Sequence, residues 1–253
     1  AAVQMLRAGT TCFLEAGTIR HLDAVVAGLS SAGIRGRVGV WVEGRAAAID
    51  AAIRTLEDEV TRYPAAQGAR IAAWPILVGH ATNTDEVWRA AKSLADRHGL
   101  GVSAHMSPFK ADTDWYLQHV GRRPIEHLAH LGVLGERLSL THVTHISEGE
   151  LQLLAQSHTN VIFCPRAALK GAFGVTVAGR FPELHQAGVN IGLGTDGDVP
   201  DLMQQMSLAA AVFKDARQDA RIFPADAVLN MAIAGGARLL QLQEELGSLE
   251  AGK

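Results

Sequence analysis

The sequence predicts an α/β fold of the (β/α)8, TIM-barrel type. Short apolar runs recur along the chain without polar alternation, the pattern of parallel strands covered on both faces. Stretches with helical periodicity lie between them. The two kinds alternate strictly, giving seven strand-like runs at spacings of roughly 20 to 40 residues, one short of the eight strands that close a barrel. An open doubly wound sheet satisfies the same count.

Taken in order, Ala1 to Ala8 reads as the tail of a helix, so the first barrel strand is expected to be missing from this chain. The run TTCFLEA then supplies a strand and HLDAVVAGLSSAG its helix. GRVGVWVEG is followed by AAAIDAAIRTLEDEVTRY, in which RTLEDEVTR is a solvated face. IAAWPILVG leads to TDEVWRAAKSLADRHG, where Thr84 stands at the N-cap ahead of Val87, Ala91 and Leu94, and Gly99 offers a left-handed exit. GVSAHMS and LSLTHVTH come next. Ser147 with Glu150 then writes a capping box before Leu151 and Leu154. NVIFCPR and VNIGLGTD complete the set. No composition shift or low-complexity tract interrupts the pattern, so one incomplete barrel domain over residues 1–253 is expected.

With 253 residues, 48% of them apolar, the chain can bury one large core. A formal charge of -3 provides no footprint for a nucleic-acid backbone or an anionic membrane, leaving small molecules as partners. Cys12 and Cys164 are too few and too far apart for a disulfide framework and read as core residues in a reducing compartment. No apolar run approaches the ~20 residues of a spanning helix, and no basic segment leads into a hydrophobic stretch at the N-terminus; a cytoplasmic protein is expected.

In a barrel, side chains at the C-terminal ends of strands share one mouth, where active sites form. His105 after GVSA, His142 in LTHVTH and Asp196 closing NIGLGTD occupy such ends. A lone histidine after an apolar run usually reads as a satisfied core residue. Three coincident candidates weaken that reading, because imidazole and carboxylate are ligand types that suit zinc or a related divalent ion.

The stretch from AGTTCFLEAG to the last residues, most densely LSLTHVTHISEGELQLLAQSHTNVIFCPRAALKGAFGV and ELHQAGVNIGLGTDGD, resembles the amidohydrolase superfamily, within it the branch of cytosine deaminase and atrazine chlorohydrolase. The resemblance implies a metal-dependent hydrolase that uses a metal-activated water to deaminate a nitrogen heterocycle such as a pyrimidine, purine or triazine, with one divalent ion, zinc or iron. It implies a metal-binding role for His105, contact with the substrate and the water for His142, and metal binding plus proton acceptance for Asp196. His145, three residues beyond His142, faces the other way within the same run and reads as a supporting or packing residue.

The sequence departs from the family pattern in three places. No His-x-His pair, the family's donor on strand one, occurs in the chain, in keeping with a missing first strand. The tail EELGSLEAGK resembles the passage into a small β-sandwich domain that is also absent. Deaminating relatives place a glutamate acid three residues after the fifth-strand histidine, and here that position is Pro108. Either Ser107, Asp112 or Asp198 supplies the acid, or the reaction needs less acid assistance, as in displacement of chloride from a triazine-like ring. The alternative from another class is a catalytically silent barrel fragment whose exposed strand edges would allow a homo-oligomer.

Other signals carry no function at this level. GLGTDG, Gly192 to Gly197, matches a dinucleotide fingerprint letter for letter, but an acid sits inside it and DVP follows where a helix should begin. A single cysteine in CPRAALK excludes the P-C-x-x-C deaminases. His98, His158 and His185 are explained by helix C-terminal ends. His127 and His130 read as surface positions on an exposed helix, and Trp41 and Trp74 as strand residues in the core or lining the mouth.

Overall fold

The computed structural model describes every residue except Thr18, Ile19, Gln67 and Asp198. Among the described residues eight short strands are β1 (Cys12–Leu14), β2 (Arg35–Val38), β3 (Ile71–Ala73), β4 (Ile76–Gly79), β5 (Val102–Met106), β6 (Leu138–His142), β7 (Asn160–Phe163) and β8 (Ile191–Leu193). All pairings between them are parallel and follow chain order, in a sheet β1-β2-β3 and a sheet β4-β5-β6-β7-β8. Helices connect each pair of hydrogen-bonded neighbours, as parallel pairing demands.

The apolar run IAAWPILVG, read as one strand, is two. Pro75 cannot donate to a ladder, so the strand breaks at Trp74–Pro75. Ahead of the break β3 pairs with β2, and after it β4 pairs with β5. The break is bridged rather than open: Trp74 N–H donates to Val38 O at 2.9 Å, Ser103 N–H to Pro75 O at 3.1 Å, and Val42 pairs with Leu77 beyond the end of β2. Trp74 itself is buried in the core.

The main core lies between the strands and their helices. Leu56 and Val60 of helix Ile49–Arg62 sit beside Val87, Trp88, Ala91 and Leu94 of helix Asp85–His98, and the same cluster runs through β4 to β8. A second, smaller cluster of Leu22, Leu29, Ile34, Val38 and Ile71 holds helix Leu22–Ala32 on the first sheet, with Ala2 and Met5 of helix Ala2–Arg7 packed against it.

Helix ends follow the sequence with one exception. Ser147 Oγ accepts from Glu150 N–H and Glu150 Oε2 accepts from Ser147 N–H, closing the capping box. Gly99 leaves its helix in the left-handed conformation. Thr84 stands at the N-cap, but its side chain makes no capping bond and its buried Oγ1 has no partner.

Between β1 and β8 no strand pairing is found among the described residues. A cavity of about 430 Å³ lies there, lined by Leu14, Thr141, Ile162, Cys164, Gly194 and Asp196 among others. Leu239, Leu240 and Leu242 pack with Cys12 and Leu14 beside it. Among the described residues no helix is long and apolar enough to cross a membrane.

Candidate active site

The carboxyl ends of β4, β5, β6 and β8 bring a group of polar side chains together. His105 lies within β5, where both neighbours fix its backbone: it pairs with Thr141 of β6 on one side and Gly79 of β4 on the other. The fit at Gly79 is tight. Its φ of +79° belongs to the left-handed region, and a Cβ there would collide with the carbonyl oxygen of His105. Asn83 holds this strand end by accepting from Gly79 N–H at 2.9 Å and donating to Val42 O at 3.0 Å.

His142 ends β6 with φ +78°, Asp196 follows β8 with φ +55°, and Ser107 follows β5 with φ +50°. Such conformations cost energy in non-glycine residues and concentrate where the chain aims functional groups. Their effect here is convergence. The rings of His105 and His142 lie 5.4 Å apart between centroids, and His142 Nε2 is 3.6 Å from Asp196 Oδ2. Backbone N–H of Gly197 holds the other oxygen of Asp196 at 2.5 Å.

Burial sets the electrostatics. His105 and His142 are 7% and 6% exposed, and desolvation of the cationic form pushes their pKa values down to about 4 and about 3. Repulsion from a neighbouring histidine adds to each shift, and Asp196 opposes it. Both imidazoles are therefore neutral at pH 7, the form that binds metals. Their Nδ1 atoms are buried without hydrogen-bond partners.

Sequence reasoning missed His80. It follows β4 directly, its ring centroid is 6.0 Å from that of His105, and its N–H donates to His105 O at 3.1 Å. The signal was present, since ILVGH ends an apolar run with a histidine just as GVSAH does. Helix Lys110–His119 supports this residue from above: Tyr116 Oη donates to His80 O at 2.6 Å, and Asp112 Oδ1 stands 3.7 Å from His80 Nδ1. Burial lowers the pKa of His80, and Asp112 opposes that shift. Trp41, 39% exposed and outside the regular strands, lies 5.2 Å from the ring of His105.

The remaining candidates separate by position. Ser107 Oγ is fully buried without a partner, and the Ser107 carbonyl accepts from Thr144 and His145. Asp112 Oδ2 accepts from Phe109 N–H at 3.1 Å. Asp198 lies outside the described residues. His145 bonds the carbonyl of Phe173. His127 is not a surface residue: it is 7% exposed, with Nε2 2.8 Å from Asp85 Oδ1, because its helix packs this face towards the start of helix Asp85–His98. His130, one turn on, is exposed. GLGTDG is not followed at once by a helix, the next one beginning at Leu202.

Two neutral imidazoles and a carboxylate are donors of the kind that zinc and iron take. The set is partial: among the described residues no group of three or more His, Cys, Asp and Glu side chains is placed to enclose a metal ion.

The amidohydrolase family model matches residues 1–253. The chain belongs to that family. A 5-methylthioadenosine/S-adenosylhomocysteine deaminase of Syntrophobacter fumaroxidans is 32% identical over 263 residues, covering 100% of this chain and 58% of the relative. Among solved structures, an adenosine deaminase from Xanthomonas campestris with bound zinc superposes with a TM-score of 0.85 at 28% identity, over 100% of this chain and 58% of that one. An atrazine chlorohydrolase from Arthrobacter aurescens, complexed with zinc, gives a TM-score of 0.84 at 19% identity over 100% of this chain and 62% of that one, a likeness of fold. This amidohydrolase chain thus spans less than two thirds of the length of these relatives.

Proposed function

We propose that the protein carrying this chain is a metal-dependent aminohydrolase that removes the amino group from a nitrogen heterocycle, with an aminopurine nucleoside such as 5-methylthioadenosine as substrate. The convergence of His105, His142 and Asp196 at the carboxyl ends of β5, β6 and β8 carries the reading. The identity to the deaminase of S. fumaroxidans and to the zinc-bound adenosine deaminase supports the substrate class and favours zinc over iron.

His105 and Asp196 would hold the ion. A divalent ion at this place would supply a Lewis acid that lowers the pKa of water to about 7. Asp196 accepts the proton of the attacking water and returns it to the departing amine. His142, neutral and 3.6 Å from Asp196, would donate from Nε2 to the water oxygen as it bonds to the ring carbon, while the C=N electron pair passes to the ring nitrogen. Where a glutamate is absent, at Pro108, the groups that would assist protonation of the ring are Ser107, Asp112 or Asp198. The same vacancy of acid favours, as a second reading, displacement of a better leaving group such as chloride. For the fold we take a (β/α)8 barrel in which β3 and β4 are two halves of one stave and a further strand lies between β8 and β1, whose facing edges are unpaired among the described residues and flank the 430 Å³ cavity.

Ammonia release from 5-methylthioadenosine, S-adenosylhomocysteine and adenosine tests the activity. Asp196→Asn is expected to lower kcat by about 10²–10⁴-fold with the melting temperature of the metal-free protein preserved. A variant turning over at near the parent rate would remove Asp196 from the mechanism.

A further inference from the structure

The loop after β7 is shaped around one side chain. Helix Pro165–Lys170 ends at Gly171, Phe173 N–H donates to Ala168 O at 3.0 Å, and Ala172 is held at φ +53°. A Cβ on Gly171 would collide with the ring of Phe173, so glycine is what lets that ring fold back across the turn. His145 fixes the other side. Its Nε2 lies 2.8 Å from the carbonyl oxygen of Phe173, which can only accept, so the ring carries its proton on Nε2 and donates.

The result is an aromatic wall beside His142. Phe173 meets the His142 ring edge-on, with centroids 5.0 Å apart at 83°, and meets Phe109 at 4.7 Å and 74°. Trp41 stands at the opposite end of the histidine pair, against His105. Phe109 and Trp41 remain 46% and 39% exposed, so apolar ring surface is open to solvent on either side of the histidine pair. Such surface favours a flat, uncharged partner, because a charged group would lose hydration there without gaining a counter-charge.

We infer that Phe173 is a specificity-determining residue of this site and that His145 is the residue that positions it, together selecting a planar, uncharged heteroaromatic ring over bulkier or charged groups. The identity of the substrate used to test this rests on the proposed aminohydrolase activity; the wall itself is read by binding.

The experiment compares the protein with Phe173→Ala, Phe173→Leu, His145→Ala and His145→Gln. It measures steady-state kinetics on 5-methylthioadenosine and, separately, the quenching of tryptophan fluorescence by free purine. Phe173→Ala should raise KM and the purine Kd about five- to tenfold, more than it changes kcat, and Phe173→Leu should fall between. His145→Ala should move KM and Kd the same way, and His145→Gln should restore them, because its amide N–H can donate to the same carbonyl. Parent-like KM and Kd in both Phe173 variants would overturn the role of Phe173, and His145→Gln as weak as His145→Ala would overturn that of His145. If the parent releases no ammonia, the aminohydrolase reading fails and the purine titration decides alone: weaker binding by the Phe173 variants supports the wall, and equal binding, or none by the parent, ends it.

Discussion

The two sheets differ in how their strands are covered. Every residue of β4, β5 and β6 is buried, whereas all of β1 is half-buried and β2 begins with an exposed residue. The sheet β4 to β8 shares the large core with its helices, while much of the apolar surface of β1 to β3 is covered by the small cluster around Leu29, Ile34 and Val38. All four residues that meet around His105 and His142, including His80 and Asp196, follow or belong to the well-covered sheet. Of the left-handed positions among these four residues, His142 is buried, His80 half-buried and Asp196 exposed. The lesson is that the buried imidazoles are carried by the sheet with packing to spare.

This comparison can be broken at its tightest point. Gly79→Ala adds a Cβ against the His105 carbonyl at a positive φ, and should cost about 4 kcal/mol in urea denaturation and abolish activity. A variant that unfolds at the parent midpoint would show that the β4–β5 register is soft. Next in size, Leu154→Ala, fully buried in the large core, should lower stability by about 3–4 kcal/mol.

Acid should act through the same sheet. An unfolded imidazole titrates near 6.5 and His105 near 4, so between these values the unfolded chain binds the extra proton. The stability contribution is complete above about pH 6.5 and is lost as pH falls towards 4, by roughly 3 kcal/mol. Urea midpoints measured against pH with a chelator present should show at least that slope, and His105→Gln should reduce it while His142, also lowered by burial, keeps part of it; an unchanged slope would place the acid sensitivity elsewhere.

Smaller effects belong to the thinner sheet. Leu29→Ala should cost about 2 kcal/mol and raise hydrogen exchange in β1 to β3 before β4 to β8. Uniform exchange across both sheets would make them one cooperative unit. Smallest of all, Arg62→Ala removes an exposed ion pair with Asp23 and should leave the melting midpoint unchanged.

Much of this was legible in one dimension. The runs GVSAHMS and LSLTHVTH became β5 and β6 with their histidines where apolar continuity ended, and Ser147 with Glu150 closed the capping box they spell. Local rules suffice when the partners lie within a few residues. They failed where the partner is distant. His127 looked exposed because its acceptor, Asp85, lies 42 residues away, and Thr84 looked like a cap although its hydroxyl makes no such bond. His80 was passed over for a simpler reason, that the strand was read as ending at Gly79.

By itself the sequence determined the alternation of parallel strands and helices, and the chemical kinds of the candidate groups, because periodicity and residue type are properties of short segments. Only the tertiary structure decided that Pro75 splits one apolar run between two sheets, that His80 joins His105 and His142, and that His145 reaches the carbonyl of Phe173. Those outcomes depend on which distant segments share a ladder or a packed face, and a linear pattern holds no distances between them.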